Sequence, residues 1–449
     1  MLQPTSILCS LPAAAALEIL RPAKRLRCAT RRRRQSPLPE GGHLAGLAGG
    51  EHGAMLEWST GIDSSRRTRV QSVLHMIGTL HHAAAKGAEG RDGVRMNKTT
   101  DREPAVDPRR YFEAAEPERT DIPHRDPVCL YLETTNRCNL PCTTCPRTFE
   151  ELEPAANMSF ELFCSIVGQY PNIARVVLHG VGEPLMVPHL SRMVRYLKAR
   201  GTHVLFNTNG TLLNERRGRE LIDSGLDELR VSLDAAQPQA FHAVRGKNVF
   251  DRIVNNVRQL RALQRRLDAA KPRVSLWITG LKETVAQLPA FVDLAHGIDV
   301  REVHLQRLVY FADGQGLARP EQALFERLDS TEEGLIREAE ARAAAPGIVF
   351  DASGATEPGT SLRRAGDRRP WSLCTRPWTL MYFTAHGRAL PCCIAPFSMR
   401  GYDSFTLGDA TQQTLREIWN GDKYRAFRRE LLSDDPPRAC AGCGLRWSL

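Results

Sequence analysis

The stretch LETTNRCNLPCTTCPRTF, residues 132–149, sets Cys138, Cys142 and Cys145 at C-x3-C-x2-C spacing. Thiolates are soft ligands, suited to zinc, copper(I) or iron–sulfur clusters. Structural zinc wants four ligands and a closed site, and no fourth cysteine stands beside these three. An iron–sulfur cluster held by three protein thiolates keeps one iron free for another ligand. The spacing therefore points to a site that a substrate or cofactor completes.

The segments around this stretch alternate between strand and helix. Val128–Thr135 (VCLYLETT) reads as a strand leading into the cysteines, and Ser159–Tyr170 reads as a helix. Arg175–Gly180 (RVVLHG) is a short apolar strand of the kind covered on both faces. Leu190, Met193, Val194 and Leu197 form a helical stripe. Strand His203–Asn207, helix Glu215–Ser224, strand Glu228–Leu233 and a long helix from about Asp251 follow. Strands Val274–Thr279 and Glu302–Leu308 flank a helix around Pro289–Ala295. Six β-α units between residue 127 and about 340 imply a parallel sheet with helices outside. The expected fold is α/β, a partial (β/α)6 TIM-like barrel over residues 125–340, a doubly wound sheet being the other option. In either, polar residues at the C-terminal strand ends form the site, and the cysteine loop stands at such an end.

Three further segments follow strands in order: Gly180-Val181-Gly182-Glu183-Pro184, Asn207-Thr208-Asn209-Gly210 and Ser232-Leu233-Asp234. With the three cysteines, they resemble the radical SAM enzymes. That resemblance implies a [4Fe–4S] cluster on Cys138, Cys142 and Cys145, with S-adenosylmethionine (SAM) on the free iron. It implies a 5′-deoxyadenosyl radical that abstracts hydrogen from a substrate. By the same resemblance Gly182 and Glu183 hold the SAM amino group, with Asn207 at the next strand end. Ser232 and Asp234 meet the ribose, Arg245 the SAM carboxylate, and Leu305 and Gln306 the adenine. Val181 departs from the family's GGEP pattern, and Thr144 replaces the usual aromatic before the third cysteine. Read without the resemblance, Asp234 is a helix cap, Asn209-Gly210 a turn and Arg245 an exposed arginine. His179 reads as a satisfied core histidine, and Cys129 and Cys164 as small core residues.

Residues 341–370 are rich in Pro, Gly and Arg and read as a linker. Beyond them, CTRPWTLMYFTAHGRALPCC suggests a hairpin turning at His386-Gly387, then two helices and a closing Cys440-Ala-Gly-Cys443. This order resembles the SPASM domain, in the shortened "twitch" form, over residues 371–449. The resemblance implies one auxiliary [4Fe–4S] cluster on Cys374, Cys392, Cys440 and Cys443. Cys393 is the alternative to Cys392, and zinc is the alternative metal, since four cysteines including C-x-x-C fit it.

Charge narrows the partners. The chain of 449 residues carries a net +10, of which +8 lies in residues 1–110. The body is near neutral, which argues against a nucleic-acid-binding enzyme. Residues 1–120, with Ala and Gly runs and the Arg31–Arg34 block, read as a disordered basic extension; Met55, Met76 and Met96 are alternative starts. No apolar run reaches membrane-spanning length and no secretory signal is evident, so the expected location is cytoplasmic. There, clustered cysteines indicate metal rather than disulfides.

The resemblance leaves the substrate between a ribosomally made peptide and a small sugar or alcohol that is oxidised or epimerised. No compact winged-helix pattern for leader binding is evident in residues 1–110. A flavodoxin- or ferredoxin-type donor is the implied electron source. The alternative from another class is an iron–sulfur electron carrier or zinc-binding scaffold without SAM chemistry.

Overall fold

The computed structural model describes residues 119–150, 152–308, 318–354, 357–363, 369–398, 405–441 and 443. The expectation of a disordered extension, except at Arg119 and Thr120, lies outside them. Strand β1 (Cys129–Leu132) is buried at all four positions, as its unbroken apolar run requires when both faces are covered. Helix α1 (Phe160–Gly168) starts where Ser159 Oγ accepts from Leu162 N–H at 3.0 Å. Strand β2 (Arg175–Val177), helix α2 (Leu190–Lys198) and strand β3 (His203–Thr208) follow. The α2 stripe of Leu190, Met193, Val194 and Leu197 is buried. Asn214 caps helix α3 (Glu215–Asp223), leading to strand β4 (Glu228–Ser232).

Next come helices α4 (Pro238–Arg245) and α5 (Phe250–Arg266), strand β5 (Arg273–Gly280), helix α6 (Leu288–Gly297) and strand β6 (Glu302–Arg307). Helix α7 (Ser330–Ala344) opens with a capping box between Asp329 and Glu332. Strand β7 (Val349–Ala352) pairs with β6. It lies inside the segment read as a linker. Four residues between a Pro-Gly pair and a loop are too few to show a period. Helix α4 was also missed, because its buried face amounts to Phe241 and Val244.

The C-terminal residues fold onto this sheet. Strand β8 (Leu380–Phe383) and strand β9 (Arg388–Leu390) form the expected hairpin, with Gly387 at φ +92° in its turn. β8 runs parallel to β1, Cys129 opposite Leu380 and Leu132 opposite Phe383. With strand β10 (Gly408–Asp409), the order is β10-β9-β8-β1-β2-β3-β4-β5-β6-β7. β8 through β7 are parallel, so this is the expected open α/β barrel sheet, lengthened by the C-terminal hairpin. Helices α8 (Leu415–Trp419) and α9 (Asp422–Leu432) pack over it. Arg428, fully buried, donates to Trp419 O (2.7 Å), Pro377 O (2.9 Å) and Asp121 O (3.1 Å). Among the described residues no helix is long and apolar enough to cross a membrane.

Candidate active site at the strand ends

The loop after β1 carries Cys138, Cys142 and Cys145 into one cavity with the loops after β2, β3 and β4. Each sulfur meets a different segment. Cys145 Sγ lies 4.0 Å from the Val181 carbonyl, Asn209 Nδ2 is 3.7 Å from Cys138 Sγ, and Arg245 Nη1 is 3.6 Å from Cys142 Sγ. The cysteine loop is tied to the end of α4, where Thr143 N–H donates to Val244 O at 2.9 Å. A Cβ on Gly182 would come within 2.1 Å of Thr135 O and 2.7 Å of Arg137 O, so only glycine lets these two loops touch.

Glu183 is buried and internally committed. One oxygen accepts from Thr208 Oγ1 (2.7 Å) and Leu185 N–H (3.0 Å), the other from Asn209 N–H (2.7 Å). Burial raises its pKa, and these hydrogen bonds work in the opposite direction. It is a strut between the β2 and β3 loops. Asn209 in turn donates to Asn139 Oδ1 at 2.7 Å, so the N-T-N-G segment supports the cysteine loop rather than forming only a turn. Asp234 accepts from Thr279 N–H (2.8 Å) and pairs with Arg245 Nη2 (2.7 Å). It is not a helix cap, because Gln237 occupies that position. Arg245 is not an exposed arginine, its side chain being 13% exposed.

Ser232, Asn207, Thr144 and Gln306 line the cavity, whereas Leu305 is buried in the core. His179 also lines it. Its Nδ1 accepts from Asn207 N–H at 3.1 Å, and burial pushes its pKa down to about 3. The ring is therefore neutral near pH 7, with its proton on Nε2.

A second cavity, mostly apolar, is lined by Cys374, Cys392, Cys440 and Cys443 with Trp371 and Phe427. Cys392 faces this cavity, while Cys393 faces the first. Arg376 lines both, its Nη1 lying 3.8 Å from Cys374 Sγ. Arg376, Trp277 and Cys393 were not foreseen as cavity residues. Only the C-x-R spacing at Cys374 offered a hint of the arginine.

The donor chemistry fits iron–sulfur clusters. Burial, then neighbouring Cys142, pushes the Cys145 thiol up to about 12, and burial raises Cys138, Cys392 and Cys440 as well. Such thiols hold their protons until a cation displaces them. Among the described residues, no three His, Cys, Asp or Glu side chains close on a single metal ion. Asn207 Oδ1 is buried at the cavity wall with no partner among the described residues, an acceptor for a ligand there.

Residues 132–295 match the Radical SAM superfamily, and residues 374–444 match the SPASM iron–sulfur cluster-binding domain. The chain is a radical SAM protein with a SPASM domain. Its cofactors are accordingly a SAM-binding [4Fe–4S] cluster, an auxiliary iron–sulfur cluster and SAM, which sets aside the carrier and zinc-scaffold alternatives. This radical SAM protein is 32% identical over 164 residues to a tungsten-containing aldehyde ferredoxin oxidoreductase cofactor-modifying protein of Pyrococcus furiosus, covering 36% of the chain and 46% of that relative. It is 27% identical to a PqqA peptide cyclase of Streptomyces rochei, covering 70% of the chain and 81% of the relative. Streptococcus suis SuiB shares the fold at a TM-score of 0.52 and 13% identity, over 80% of this chain and 78% of that one.

Proposed function

We propose that this chain is a peptide-modifying radical SAM enzyme. The observation that carries the reading is the convergence of three thiols from one loop on the β2 loop, the β3 loop and the end of α4, across Arg376 from a second set of four cysteines. The peptide substrate is supported by the S. rochei relative, most of whose length is matched.

In this reading Cys138, Cys142 and Cys145 hold the SAM-binding cluster, and Cys374, Cys392, Cys440 and Cys443 hold the auxiliary one. Cluster and SAM together supply a one-electron cleavage of a SAM carbon–sulfur bond that yields a hydrogen-abstracting 5′-deoxyadenosyl radical. The chain's residues position that chemistry. Gly182 brings the β2 loop against the cysteine loop, and Glu183 fixes the β3 loop beside it. Asn207 Oδ1 offers an acceptor, Ser232 a hydroxyl, and Arg245 a guanidinium held by Asp234. An auxiliary cluster held there would supply a one-electron acceptor for the substrate side, with the cation Arg376 lining both cavities. A flavodoxin- or ferredoxin-type donor and a cytoplasmic location belong to the same proposal.

The test is anaerobic reconstitution with iron and sulfide analysis, then dithionite, SAM and a panel of short precursor-type peptides. Retained 5′-deoxyadenosine formation, lost in a Cys138/Cys142/Cys145→Ala variant, with a mass change on a peptide, supports the proposal. Turnover of a sugar or alcohol with no peptide modified would replace the peptide substrate by a small molecule.

A further inference from the structure

Glu133 stands at the C-terminal end of β1, with 2% of its surface exposed. One carboxylate oxygen accepts from Val181 N–H and from the Tyr382 hydroxyl, both at 2.9 Å. The other accepts from Ala385 N–H at 3.2 Å. Val181 belongs to the β2 loop that touches the cysteine triad. Tyr382 and Ala385 belong to β8 and to the turn that leads to Cys392. The junction is tight: a Cβ on Gly180 would fall 2.2 Å from a Glu133 oxygen and 2.5 Å from the Tyr382 hydroxyl. One carboxylate thus binds the loop of one cavity to the hairpin of the other.

We propose that Glu133 is a positioning residue that locks the Val181–Glu183 loop to the C-terminal hairpin, so that SAM binding depends on a hydroxyl of the SPASM domain. The proposal rests on the SAM reading of the first cavity. The Val181 and Ala385 N–H groups can only donate, one to each oxygen, so the lock is strongest with the ionised carboxylate, which accepts on both oxygens. Burial pushes the Glu133 pKa up to about 7, the three hydrogen bonds working in the opposite direction and Glu153 adding to the rise. The titratable groups around it are Tyr382, Glu153 with its partner Arg388 (3.3 Å), and His386, whose ring bonds Pro154 O. As pH falls through about 7, Glu133 takes a proton and one of its partners loses an acceptor. The lock then loosens and SAM affinity drops.

The test titrates SAM into the reconstituted full chain by anaerobic calorimetry, with iron measured in parallel. Tyr382→Phe removes the hydroxyl, keeps the ring stacked 6.5 Å from Tyr131, and leaves the Val181 N–H its own acceptor on Glu133. Glu133→Gln and Tyr382→Phe are each expected to retain iron and weaken SAM binding about 5- to 20-fold. The double variant should lose little more than either single one, because both break the same link. Wild-type affinity should fall between pH 8 and pH 6 while Glu133→Gln stays flat. Unchanged SAM affinity in Tyr382→Phe, additive losses, or a shared pH profile would overturn the lock. If the wild type binds no SAM, the cofactor reading fails instead. The lock is then judged from melting temperatures of the same four proteins, where non-additivity upholds it and additivity overturns it.

Discussion

Cys392 and Cys393 are consecutive in the chain yet face different cavities, the first with Cys374, Cys440 and Cys443, the second with Cys138, Cys142 and Cys145. Residues 392–394 form a turn after β9, so neighbouring side chains diverge there. A four-thiolate site needs Cys392 alone. Cys392→Ser should cut reconstituted iron from about eight per chain to about four, each [4Fe–4S] cluster contributing four. Cys393→Ser should keep the full complement, as checked by iron analysis and by the visible absorbance of the clusters.

The Asp234–Arg245 pair should matter for stability as well as for SAM. Replacing Arg245 by Met leaves Asp234, 2% exposed at its side chain, without its cation. Removing one partner of a buried pair costs about 3 kcal/mol or more. Urea denaturation should register that loss, and restoring neutrality with Asp234→Asn should recover part of it. SAM affinity should not recover, because the guanidinium beside Cys142 is gone.

Gly182→Ala should separate the β2 loop from the cysteine loop, since its Cβ would collide with two backbone carbonyl oxygens. Backbone cannot swing aside as a flexible side chain can. The expected outcome is loss of 5′-deoxyadenosine formation with the auxiliary iron retained. Gly168→Ala, at the end of α1 where an added Cβ meets nothing within 4 Å, serves as control. It should be neutral or stabilise by about 0.5 kcal/mol through the unfolded chain.

His179 should make stability pH-dependent in acid. Its folded pKa is lowered from 6.5 to about 3, so below pH 6.5 the unfolded chain takes a proton that the folded one refuses. Stability is then lost as pH falls from 6.5 toward 3, by up to about 1.4 kcal/mol per pH unit. A His179→Gln variant should show a shallower decline between pH 6.5 and pH 5 in urea melts.

The first six strands were legible because both faces of a parallel strand are covered, leaving apolar runs such as VCLYL and RVVLHG bounded by helical stripes. The cysteine triad was legible because its spacing is chemistry, not packing. The links that make the site were not. The commitment of Glu183 to Thr208 and Asn209, the Asn209–Asn139 bond and the Asp234–Arg245 pair join residues distant in sequence, which no local period reports. Strand β7 and helix α4 escaped for a different reason, their buried faces being only a few residues wide. The pairing of β8 with β1 was also invisible, since a hairpin's outer partner is set by tertiary packing.

That pairing has a consequence for anyone shortening the gene. Ending the chain before residue 371 would leave β1 with a bare row of backbone donors and acceptors along an entirely apolar strand, and an unpaired margin of that kind recruits other chains. The catalytic barrel expressed alone should therefore collect in the insoluble fraction or as oligomers, and fusion partners or tags belong elsewhere than on the hairpin.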